Sequence, residues 1–136
     1  MPERIFVDTG AWIALYVPRD GHHREARTTW KECARQRAVL VTSNYVITEA
    51  ITAVRRLAGH KRATELGKAL LESHVLRRLY IDESLERAAW TFFKEYDDQD
   101  FSFTDCTSFA VMTAEKITKA FTFDRDFQIA GFQVLP

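Results

Sequence analysis

Short apolar runs alternate with helix-length stretches along this whole chain, and two of those runs close on an aspartate. Alternation of this kind restricts the fold more than any other feature of the 136 residues. A strand followed by a helix, repeated, buries its apolar faces as a parallel sheet between helical layers. Strands are predicted at 4–8 (RIFVD), 38–41, within VLRRLYI at 75–81, at 120–123 and at 132–135. Helices are predicted over 9–16, 20–36, from Thr42-Ser43-Asn44 as N-cap to Gly59, then 61–73, 83–96 and 104–117. The expected architecture is α/β: a three-layer α/β/α domain with a central, mainly parallel sheet, spanning residues 1–136 as a single unit. No repeat, low-complexity segment or linker marks a second one. Open sheets of this type place their sites at the carboxyl ends of the strands, where Asp8 and Asp124 fall.

Four acids stand out: Asp8 in RIFVDTGAW, Glu49 in NYVITEAITAV, Asp105 in FSFTDCTSFA and Asp124 in AFTFDRDF. If folding gathers them, each pair at about 5 Å costs roughly 3 kcal/mol at an effective dielectric near 20. Such a cluster calls for a cation, and oxygen ligands favour a hard divalent ion, the setting of metal-assisted phosphodiester hydrolysis. Each acid also has a plainer reading. Asp8 fits a helix N-cap, Asp105 completes a capping box with Ser102, and Asp124 can open a turn. Glu49 lies off the apolar stripe of Val46, Ala50, Val54 and Leu57. Periodicity fits both a solvated acid and a residue at the mouth of a site.

Taken in order, VDTGAWIAL, TSNYVITEAITAV, FSFTDCTSFAVMTAEK and AFTFDRDFQIAGFQVL resemble the successive motifs of the PIN-domain nucleases. They are especially similar to the small ribonucleases typified by VapC toxins of type II toxin–antitoxin systems. The resemblance implies a PIN-like fold and catalytic roles for Asp8, Glu49, Asp105 and Asp124, with Asp8 and Asp105 touching the metal directly. It further implies that Thr9 and Thr104 orient these groups and that Asp126 lies farther from the ion. The stretch MTAEKITKAF lacks the glycine that often precedes the fourth strand in this family, which puts the local turn in question. The implied activity is a Mg²⁺- or Mn²⁺-dependent endoribonuclease that leaves 5′-phosphate and 3′-hydroxyl ends. The implied partners are an RNA substrate, a small cognate antitoxin and a second copy in a homodimer. A stand-alone RNA-processing nuclease of the same fold is the alternative.

Lys+Arg and Asp+Glu are both 19, so the chain as a whole does not attract a polyanion and RNA must be met locally. Arg55, Arg56, Lys61 and Arg62, with His60, are the candidate RNA contacts, and Arg19, His22, His23, Arg24 and Arg27 form a second basic cluster. Adjacent histidines point different ways on a helix, so His22-His23 is read as a surface helix start rather than a metal pair. Asp97, Asp98 and Asp100 read as a solvated loop. Phe101, Phe103, Phe109, Phe121, Phe123 and Phe127 read as core. Cys33 and Cys106 lack CxxC spacing, and with no secretory or membrane-length apolar run the expectation is a cytoplasmic protein with no membrane contact. A receiver-type phospho-accepting domain also carries strand-end acids. It would need paired acids after the first strand and a lysine after a late strand, where this chain has a single Asp8 and the arginine of DRDF. A catalytically silent RNA-binding relative is the third reading.

Overall fold

The computed structural model describes residues 2–136. Five strands, β1 (Arg4–Val7), β2 (Val39–Ser43), β3 (Arg77–Leu79), β4 (Lys119–Phe121) and β5 (Gln133–Leu135), form one sheet in the order β3-β2-β1-β4-β5. Every neighbouring pair is parallel. Seven helices intervene: α1 (Thr9–Tyr16), α2 (His23–Arg35), α3 (Asn44–Ala58), α4 (His60–Glu72), α5 (Glu83–Glu95), α6 (Phe103–Glu115) and α7 (Asp126–Ile129). This is the three-layer α/β/α arrangement the alternation predicts. The central strand β1 buries Ile5, Phe6 and Val7 in succession, as a strand covered on both faces must. The edge strands β3 and β5 are partly exposed.

The order also locates the site. From β1 the chain moves outward to β2 and β3, then crosses back to lay β4 on the other side of β1. The crevice between the carboxyl ends of β1 and β4 is therefore the topological switch point, where open α/β sheets bind ligands.

Two helices frame it. In α6 every residue from Cys106 to Met112 is buried, so this helix is held on all sides. Phe109 anchors it: its ring lies 5.1 Å from Phe101, 5.0 Å from Phe127 and 5.8 Å from Phe132. The Phe127 contact ties short α7 to α6 and so brings their flanking acids into one place. On the other side, Thr42 Oγ1 donates to Val7 O at 3.0 Å and accepts from Trp12 Nε1 at 3.4 Å, linking β2, β1 and α1.

Element boundaries differ from the sequence reading at informative points. Thr42 and Ser43 belong to β2, and Ser43 also caps α3 by accepting from Val46 N–H at 3.2 Å. Strand β3 keeps only three residues of VLRRLYI. Strand β4 stops at Phe121, so Asp124 lies three residues beyond it, and α7 was not expected at all. The missing glycine before β4 is replaced by Lys116, which itself takes the left-handed conformation at φ 58°.

Candidate functional site

A cleft of about 820 Å³ opens at the switch point. Asp8, Asp20, Glu49, Asp100, Asp105, Asp124 and Asp126 line it, against a single guanidinium, Arg125, and one imidazole, His22. All four acids singled out in the sequence thus face one cleft. Glu49 does so from α3 as an exposed side chain at its rim.

Asp8 occupies the N-cap position of α1, but its side chain makes no capping hydrogen bond. The carboxylate accepts instead from Thr122 Oγ1 at 2.9 Å, and Thr122 Oγ1 in turn accepts from Asp124 N–H at 3.0 Å. A single buried hydroxyl after β4 thus orients the β1 acid and the turn that bears Asp124. Burial pushes the Asp8 carboxyl up to about 7, reinforced by the charges of Asp105 and Asp124 and opposed by its hydrogen bonds from Thr122 and Thr9.

At Asp105 a helix cap and a place in the cleft coincide. Its backbone N–H donates to Ser102 Oγ at 3.0 Å, and its Oδ2 accepts from Ser102 N–H at 3.1 Å, closing the capping box. The same carboxylate faces the cleft, where burial and the charges of Asp124 and Asp126 raise it to about 6 despite the bonds from Ser102. Asp126 is also raised, by burial first and then by Asp124. Asp124 Oδ1 accepts from Asp126 N–H at 2.9 Å, which folds the turn so that both side chains meet.

Asp105, Asp124 and Asp126 each present a carboxylate oxygen within 4.8 Å of the other two. At that spacing the three like-charge pairs together cost on the order of 10 kcal/mol at an effective dielectric near 20. That is comparable to the whole stability of a domain. A proton or a cation must offset it, and an all-oxygen donor set fits a hard divalent ion. Thr9 Oγ1, beside Asp8 in the cleft, is buried with no protein hydrogen-bond partner. An orphaned hydroxyl of this kind calls for a solvent or ligand partner.

The geometry groups the residues differently from the expected order. Asp126, placed farther out by the resemblance, belongs to the tight trio, whereas Asp8, expected to touch the metal, is outside it and coupled to it by charge. Thr104 lines a neighbouring cavity of about 500 Å³ instead of the acid cleft. Arg56 lines that second cavity too; Arg62 lies in another depression with Tyr16, Arg27 and Trp30. Arg55 and Lys61 are exposed and line neither the acid cleft nor the cavity beside it.

Other cleft residues were not expected. Asp100 borders the cleft although Asp97 and Asp98 do not. His22 stacks on Phe123 with ring centroids 4.3 Å apart and planes 12° from parallel, and both line the cleft. Phe123 is therefore wall more than core, while Phe101, Phe109, Phe121 and Phe127 are buried as expected. His23 turns away to bond Ala14 O through Nδ1 at 2.7 Å. The divergence of the two rings bears out that adjacent histidines share no face.

The PIN domain model matches residues 5–133, and the chain belongs to the PIN-domain family. Within it, the chain is similar to VapC toxins. It is 41% identical over 128 residues to the 23S rRNA-specific endonuclease VapC20 of Mycobacterium tuberculosis, covering 94% of this chain and 95% of that protein. The crystal structure of that VapC20, described as a Sarcin-Ricin loop cleaving toxin, superposes with a TM-score of 0.89 at 38% identity, over 97% and 99% of the two chains. The fold is shared more widely. The structure of VapBC2 from Rickettsia felis bound to a promoter DNA fragment matches with a TM-score of 0.71 at 11% identity, over 98% and 97%.

Proposed function

We propose that this chain is a Mg²⁺- or Mn²⁺-dependent endoribonuclease of the cytoplasm and the toxin of a type II toxin–antitoxin pair, held in check by a small cognate antitoxin. Endoribonuclease chemistry agrees with its family and with relatives named as endonucleases. The observation that carries the reading is the meeting of Asp105, Asp124 and Asp126 with the buried carboxyl of Asp8 at the β1/β4 switch point. Among the described residues no helix is long and apolar enough to cross a membrane. A homodimer is part of the proposal by analogy with the family. The name of the 41%-identical relative makes large-subunit ribosomal RNA the first substrate to test.

Asp105, Asp124 and Asp126 would hold the ion. When bound, it lowers the pKa of the attacking water and neutralises charge gathering on the phosphate. Asp8, held by the Thr122 hydroxyl through Oδ2, keeps a fixed carboxylate beside that trio. In the metal-free site burial, ahead of the neighbouring charges, raises its pKa so that it can hold a proton near neutral pH. Thr9 Oγ1 is free to hydrogen-bond the attacking water or a phosphate oxygen. Glu49 stands at the rim from α3, where its carboxylate would orient water. In-line attack by water yields 5′-phosphate and 3′-hydroxyl ends with no cyclic phosphate.

Purified protein incubated with total RNA and Mg²⁺, beside EDTA and Asp8→Asn controls, tests this. The expected outcome is discrete cleavage with 5′-phosphate ends that disappears in both controls. Cleavage surviving EDTA, or 2′,3′-cyclic phosphate products, would sink the mechanism. Binding without cleavage would point to the silent RNA-binding relative instead.

A further inference from the structure

The acid cleft cannot by itself hold RNA. Seven carboxylates face one guanidinium there, and an ion bound at the trio offsets only part of that charge. The chain is neutral overall, so affinity for a polyanion must come from a surface adjoining the cleft. The second cavity is such a surface. Glu49 lines both, so the two adjoin at that side chain. Among the described residues the second cavity has no acid apart from Glu49, and it carries one cation, Arg56.

Its other walls suit a nucleotide. The Tyr45 ring lines one side, with its hydroxyl donating to a Glu86 carboxylate oxygen. Phe103 braces the same ring at 6.4 Å and 61°. A tyrosine fixed at its hydroxyl and at its ring is a preorganised platform, which loses little entropy when a base stacks on it. Thr52 and Thr104 supply hydroxyls that can donate to, or accept from, a ribose 2′-hydroxyl or a base edge, while Thr48 Oγ1, which donates to Asn44 O at 3.0 Å, can only accept. The volume of about 500 Å³ lies within the roughly 300–1,000 Å³ of small-ligand sites.

We propose that the cavity of Tyr45, Thr48, Thr52, Arg56 and Thr104 is the subsite for a nucleotide flanking the cut phosphodiester, and that it accepts this nucleotide only unpaired. Arg56 takes its phosphate and Tyr45 its base. Stacking on Tyr45 needs an open base face, which a base inside an A-form duplex does not offer. This deepens the nuclease reading and rests on it for the position of the cut.

The test is fluorescence anisotropy of a labelled oligoribonucleotide on the full chain, with Ca²⁺ replacing Mg²⁺ to suppress cleavage, beside a cleavage assay in Mg²⁺. Single-stranded RNA should bind at least about tenfold more tightly than the same sequence in a duplex. Arg56→Ala and Tyr45→Ala should each weaken binding about tenfold, the scale of one stacked base or one phosphate contact. Arg56→Ala should also flatten the salt dependence by about one charge. Tyr45→Phe, which keeps the ring and loses the Glu86 bond, should recover most of the loss. Arg35→Ala, removing an equal charge from the exposed Glu32 pair, should bind as wild type. Equal binding of duplex, wild-type binding by both alanine variants, or an Arg35→Ala loss as large as that of Arg56→Ala overturns the subsite. If wild type cleaves and the Tyr45 and Arg56 variants bind normally, the subsite falls and the nuclease stands. If binding depends on both residues but Mg²⁺ yields no cleavage, the nuclease falls and the nucleotide site stands.

Discussion

The two ends of strands β1 and β4 carry opposite electrostatic designs. At their amino ends unlike charges pair: Lys119 Nζ lies 2.7 Å from Glu3 and Arg4 lies 3.5 Å from Glu115. At their carboxyl ends, about a strand length away, Asp8 sits with Asp105, Asp124 and Asp126, and burial with mutual repulsion drives carboxyls up to about 7 and about 6. The amino-end pairs are partly exposed and contribute little. The carboxyl-end cluster works against folding. A sheet that can pair its charges at one end and instead crowds like charges at the other is shaped there for an ion, and the difference separates stabilising from chemical electrostatics along the same two strands.

The largest effects should follow from removing one of the crowded charges. Asp105→Asn should cut RNA cleavage by more than the roughly 10–100-fold that losing an outer hydrogen-bond partner costs a metal site. Urea denaturation in EDTA at pH 8 should nonetheless find this variant and Asp8→Asn more stable than wild type, by up to about 3 kcal/mol for the fully buried Asp8. A loss of stability in both variants would break the contrast, because it would mean these acids support the fold.

Next in size is the pH dependence of the metal-free protein. Asp8 and Asp105 have folded pKa values raised above the ordinary aspartate value of 3.8. Raised carboxyl values leave stability intact below the unfolded pKa and drain it as pH climbs through the folded one. Between pH 5 and pH 8 the apo protein should therefore lose on the order of 3 kcal/mol, mostly from Asp8. Mg²⁺ or Mn²⁺ should restore it at pH 8 and have little effect at pH 5. Thermal melts in EDTA and in metal at both pH values check this, and a flat apo profile would contradict it. By contrast, Glu3→Ala or Lys119→Ala at the amino end should cost less than about 1 kcal/mol, with cleavage unchanged.

Much of this contrast was legible in the residues. Asp8 and Asp105 stand beside recognisable local signals, a strand end and a capping motif, so their positions could be read from neighbours in sequence. Thr122 could not. Its bond to Asp8 joins residues 114 apart, and only the β1–β4 pairing brings them together. His22 and Asp100 were assigned to surface because composition cannot show that α2 begins, and the loop 96–102 ends, against the same cleft. Asp126 was visible two residues after Asp124, but its place in the trio depends on α7, a four-residue helix too short to leave a periodic signal. Phe123 was read as core because apolar character predicts burial, not which side of the wall a ring faces.

The smallest test lies at the amino end, where the chain leaves α6 for β4. Ile117 N–H bonds Met112 O at 2.9 Å and Lys116 N–H bonds Thr113 O at 3.2 Å, the pairing of a Schellman turn. That turn wants glycine at the left-handed position, yet Lys116 occupies it at φ 58°. An L-residue there costs about 1–2 kcal/mol, and glycine's greater freedom in the unfolded chain returns about 0.4–1 kcal/mol of any gain. Lys116→Gly should therefore stabilise the protein by about 0.5 kcal/mol in urea, with cleavage and metal affinity unchanged. If it also altered cleavage, the two strand ends would be coupled through α6, and the separation between the paired end and the crowded one would not hold.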